Sequence, residues 1–168
     1  MSRTRTVLAM LPLLVVQLLL VAVGVLPQLS ARLTGDEITL RVEPLDPIDP
    51  FRGAYVTLDY PDLRHDESQG ERGGLGSMDD GRSGTVYVTV RDDGDVWVAD
   101  GWTRSRPEDG TYLRCSDRDW QIECGIESWF LPQDEARAME REIADGDVRA
   151  TVKVDGRGNA ALVDVQAP

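Results

Sequence analysis

The stretch RHDESQG, residues 64–70, sets His65, Asp66, Glu67 and Ser68 side by side, the side-chain types of a hydrolase triad. Triads are held by rigid elements drawn from separate parts of a chain. This stretch sits among Gly and acidic residues with few large apolar neighbours, so a solvated loop is the stronger reading. Glu127 is a second candidate: paired with Glu123 or Glu140, it could supply an acid and a base if the two were buried to different degrees. With 30 acidic residues in the chain, chance pairs are plentiful and most must be solvated. Asp92, Asp93 and Asp95 around Gly94 offer hard oxygens for a cation, but their spacing misses the EF-hand loop and Asp93-Gly94 already explains a turn. GERGGLG, residues 70–76, does not lead from a strand into a helix, so it lacks the context of a phosphate-binding loop. No catalytic residue, cofactor or metal site is assigned on this basis.

Cysteine chemistry is better specified. Cys115 and Cys124 flank RCSDRDWQIEC, which reads as a hairpin centred on Asp119-Trp120, with Arg118 facing Gln121 and Cys115 facing Cys124. In an oxidising compartment such a pair persists as a disulfide, worth about 2–3 kcal/mol for a short closed loop. A metal site would need further ligands, and the single histidine, His65, is distant in sequence. Two packed free thiols remain the alternative.

The elements that must carry these groups begin with an apolar run, Val7 to Leu26, without charge and with Gln17 as its one strongly polar side chain. About 20 such residues span a hydrocarbon core of ~30 Å. A cleaved secretory signal usually has an apolar region of about 7–15 residues and a small-x-small site; the region PQLSA offers Leu29 where a small residue is wanted. Length therefore favours a retained transmembrane anchor, with Pro12 tolerated near its start. Arg3 and Arg5 precede the run, which places the N-terminus in the cytoplasm and the bulk outside it. Setting those two aside leaves 16 basic against 30 acidic residues, a net −14 for the outer portion. That sign disfavours nucleic acid as a partner and serves solubility.

Beyond a short connector, Gln28 to Gly35, the patterning turns to period two. Ile38, Leu40 and Val42 share one face of a strand, the Asp-Pro steps of LDPIDP break it, and Ala54 to Tyr60 form a second. Residues 61–83 read as a flexible acidic and Gly-rich loop. Val86, Val88 and Val90 open a two-strand unit turned at Asp93-Gly94, the disulfide hairpin follows, and Val148, Ala150, Val152 and Val154 start a closing pair around a Gly-rich turn. Between them PQDEARAMEREIADG, residues 132–146, carries helical spacing at Ala136, Met139 and Ile143, with Gly146 past its end. The expected architecture is mainly β (α+β): an anchor over residues 1–30, then an antiparallel extracytoplasmic domain over 31–168 with about eight strands and one short helix.

At this point PLDPIDPFRGAYVTLDY resembles the signature of the GDYXXLXY family. Arg52 and Gly53 match its Arg-Gly step, and Gly53, Tyr55, Leu58 and Tyr60 occupy the named positions. Ala54 stands where the family has Asp, so any chemistry of that carboxylate is absent here. A later segment, GIESWFLPQDEARAME, is similar through Gly125, Ile126, Glu127, Phe130 and Pro132, with Gln133 in place of Glu. The resemblance implies a single-pass extracytoplasmic module with no assigned activity, associated with multi-span membrane proteins. Two functions follow as expectations: a binding or structural module supporting another envelope or membrane protein, or a membrane-tethered hydrolase using buried carboxylates. Within the signature strand, Val56, Leu58 and Tyr60 share a face suited to a core, whereas Tyr55 lies with Thr57 and Asp59 and either packs or forms a contact surface.

Overall fold

The computed structural model describes residues 3–44, 55–63, 82–118, 122–130 and 148–166. Helix α1, Arg3–Thr34, contains the apolar run, and its span Pro12–Thr34 has a mean hydropathy of 2.2, long and apolar enough to cross a membrane. The connector expected from Gln28 does not form. The helix continues through Pro27 to Thr34, where the Gly35 N–H donates to the Ala31 carbonyl at 2.9 Å and Thr34 Oγ1 donates to the Ser30 carbonyl at 2.9 Å. The polar residues after the apolar run remain helical because the last two turns pack against the β-rich domain, with Ala31 fully buried.

The strands are β1 (Asp36–Arg41), β2 (Glu43–Pro44), β3 (Tyr55–Asp59), β4 (Thr85–Asp92), β5 (Trp97–Thr103), β6 (Thr111–Ser116), β7 (Ser128–Phe130), β8 (Arg149–Val154) and β9 (Ala160–Gln166). Eight have three residues or more and β2 has two, all paired antiparallel. They form three three-stranded sheets, ordered β1-β8-β9, β2-β3-β7 and β5-β4-β6. The mainly β expectation holds. Residues 132–146, where the short helix is expected, lie outside the described residues, as do residues 64–81 of the expected loop. The first three positions of that stretch, Pro61–Leu63, instead make a 3₁₀ turn with Leu63 buried and its N–H bonded to the Tyr60 carbonyl at 3.0 Å.

Alternation turns each apolar set inward as the pleat requires. Ile38 and Leu40 lie opposite Val152 and Ala150, Val88 lies between Leu113 and Trp102, and the three sheets share one core that takes in Leu58, Tyr60 and Ile126. The β4–β5 turn spans residues 93–96, with the Asp92 carboxylate accepting the Gly94 N–H at 2.8 Å. Two glycines set how sheets and helix approach each other. A Cβ on Gly35 would lie 2.8 Å from the Val154 backbone nitrogen, and one on Gly158, whose φ is +80°, would lie 2.7 Å from the Tyr112 ring. Gly158 thereby lets its carbonyl accept the Arg114 N–H at 2.7 Å, fastening the β8–β9 turn to β6.

Candidate functional site

The two segments that carry the family resemblance meet. β3 pairs with β7 in the register Tyr55↔Phe130, Val56↔Trp129 and Thr57↔Ser128, and the seam continues where the Leu58 N–H donates to the Glu127 carbonyl at 2.8 Å. Tyr60 closes it: its hydroxyl donates to the Ile126 carbonyl at 2.7 Å from a buried position. A buried phenol satisfied in this way is held above its ordinary pKa, first by desolvation and then by the negative charge of Glu127.

Glu127 sits half-buried at the start of the seam. Its carboxylate accepts the N–H groups of Cys124 and Gly125, the latter at 2.9 Å, and so organises a turn in which Gly125 has φ +81°. Burial pushes its pKa up, these backbone donors pull it back, Glu123 pushes it up again, and the net shift is upward. Both carboxylate oxygens are engaged by backbone N–H groups, which fastens the turn.

The hairpin before it follows the expected register. Ser116 pairs with Glu123, and Cys115 and Cys124 form a disulfide with Cα atoms 4.1 Å apart. Glu127, Phe130, Leu58, Tyr60 and the backbone of Tyr55 thus lie along one seam beside this crosslink, with Phe130 76% exposed. Arg52, Gly53 and Pro132 lie outside the described residues, as do His65, Ser68 and Glu140. Among the described residues no group of three His, Cys, Asp or Glu side chains is arranged to hold a metal. The aspartates around Gly94 serve the turn and ion pairs: Asp93 meets Arg91 at 2.6 Å and Asp95 lies 3.8 Å from Arg149.

Two further carboxylates, unmarked by any motif, are built more deeply. Asp117 is buried and accepts from both terminal nitrogens of Arg104, at 2.6 and 2.8 Å, and from the Gly84 N–H at 2.7 Å. The Arg104 hydrogen bonds hold its pKa below the ordinary value against the cost of burial. Asp155 joins the helix to the domain. Its Oδ2 accepts from Ser30 Oγ at 2.6 Å and Asn159 Nδ2 at 2.9 Å, while Oδ1 accepts the Arg157 and Asn159 N–H groups. Burial alone would raise the Asp155 pKa, but these donors outweigh it and the net shift is downward. Arg32 adds a 3.0 Å bond to the Leu162 carbonyl, and Gln28 one of 3.3 Å to the Gly125 carbonyl. DGRGN, residues 155–159, was legible as a Gly-rich turn, whereas its use as a helix socket had no sequence signal.

Fold and seam together define a β-rich domain seated on the end of a single N-terminal apolar helix. The chain belongs to the GDYXXLXY protein family, whose model matches residues 17–165, from within α1 to the last strand. No curated protein and no solved structure matches it.

Proposed function

We propose that this protein is a single-pass membrane protein, retained by α1, whose β-rich domain is held outside the cytoplasm and supports another membrane or envelope protein. The observation that carries the reading is the joint: Ser30, Ala31 and Arg32 are part of the domain's own packing. Cleavage after Ala31 would remove contacts that the fold uses. The helix on this reading acts as a rigid mount, and Arg3 and Arg5 before the apolar run support a cytoplasmic N-terminus. Leu26, Leu29 and Leu33 remain exposed on it, an apolar stripe at helical spacing that fits the flank of a multi-span partner. The enzyme reading draws less support, since Asp117, Asp155 and Glu127 are each saturated by internal donors.

Intact mass of the protein isolated from envelopes tests retention. The expected mass includes the apolar run; a chain beginning at Arg32 would overturn the reading. A C-terminal reporter active only outside the cytoplasm tests orientation, and crosslinking from position 33 tests the partner.

A further inference from the structure

Beside the helix exit lies a cleft of about 340 Å³, lined by Pro27 and Gln28 of α1, the disulfide, Arg114, Arg118, Glu123 and Asn159. In a domain of net charge −14 its lining holds two arginines and one carboxylate. Arg114 and Arg118 are exposed, and neither has an ion pair among the described residues. Three neighbouring arginines are committed: Arg104 to Asp117, Arg106 to Tyr112 and the Gly156 carbonyl, Arg32 to the Leu162 carbonyl.

Depth gives these two cations a meaning. Leu26 ends the apolar run, and Gln28 lies about 3 Å further along the helix axis at ~1.5 Å per residue. The polar layer on each side of a hydrocarbon core is about 5–8 Å thick, so the cleft opens at headgroup level. Guanidinium groups pair with phosphate oxygens through paired N–H donors, which suits them to this anion more than to a neutral group.

We propose that the cleft binds the phosphate of an anionic phospholipid headgroup, fixing the domain's orientation on the bilayer. This rests on the reading that α1 stays in the membrane. The lipid supplies the counter-charge to Arg114 and Arg118, and Glu123 limits the site to a single headgroup by repelling a second.

The test uses the full chain in nanodiscs of phosphatidylcholine containing phosphatidylglycerol, transferred to mild detergent, with retained lipid counted by native mass spectrometry. The expected result is one phosphatidylglycerol held in preference to phosphatidylcholine. Arg114→Gln or Arg118→Gln should each weaken retention about 5-fold and the double variant about 30-fold. Glu123→Gln should strengthen it, and Arg91→Gln, in β4, should leave it unchanged. The denaturant midpoint of each variant, compared with that of the unaltered protein, verifies folding. Equal retention of both lipids, or an unaltered double variant, would overturn the proposal. Displacement by millimolar inorganic phosphate as effective as by phosphatidylglycerol would overturn the headgroup as source and leave a soluble anion site. A full-length chain that keeps no lipid refutes the cleft alone, whereas lipid retention by a chain that is cleaved in envelopes refutes the anchor alone.

Discussion

The signature seam and the helix joint solve the same problem, fastening two distant pieces of chain, with opposite means. At the seam, segments joined by the Tyr60 to Ile126 bond, 66 positions apart, are held by backbone pairing and one buried hydroxyl. At the joint, Ser30 and Asp155, 125 positions apart, are held by a carboxylate that gathers four donors. The seam uses the residues that spell the family pattern; the joint uses residues that spell nothing. A signature can therefore mark where a fold must close rather than where a reaction occurs. The apolar face of β3 supports this, since Leu58 and Tyr60 are consumed by the core.

The largest blow to the seam should be Leu58→Ala, a fully buried truncation costing about 2–5 kcal/mol, read by denaturant unfolding of the purified protein. A loss below about 1 kcal/mol would make β3 peripheral, and the comparison would fail. Asp155→Ala attacks the joint. It should cost about 1–3 kcal/mol because Ser30 Oγ and the turn's N–H groups lose their acceptor, and amide exchange should rise in residues 28–34 while β4 stays protected. Protection lost equally everywhere would show that joint and seam are one unit. Tyr60→Phe should cost about 1 kcal/mol through the Ile126 carbonyl, without rearranging the sheet.

Acidity separates the two regions by sign. Asp155, like Asp117, has a folded pKa below 3.8, so its stabilisation is fully present above that pH and is lost as pH falls through the folded value. Glu127 has a folded pKa above 4.5, so the seam favours its protonated form and loses stability as pH rises from 4.5 through the folded value. Urea midpoints across pH should show Asp155→Asn flattening part of the acid limb and Glu127→Gln flattening the decline above 4.5. Smallest in stability is Tyr55→Ala, at a position that pairs in register with exposed Phe130. An unchanged melting temperature with lost function in cells would make that face of the seam a contact surface.

Much of this architecture was readable because it depends on neighbours along the chain. Period-two alternation placed Ile38, Leu40, Val86, Val88, Ala150, Val152 and Val154 inward, and the symmetry of RCSDRDWQIEC about its centre set the Cys115–Cys124 register. The apolar run announced a helix by length alone, which hydropathy measures without knowing what surrounds it. What tertiary structure alone decided is where polar groups went. Gln28 to Thr34 look like a connector by composition, but they stay helical because Asp155 and the Leu162 carbonyl receive their side chains. Nothing in the order of residues announces that Arg104 will neutralise Asp117, or that Tyr60 will reach Ile126. Apolar burial is set by a repeating local pattern, whereas a buried hydrogen bond needs one particular partner at about 3 Å, and only the folded chain brings that partner there.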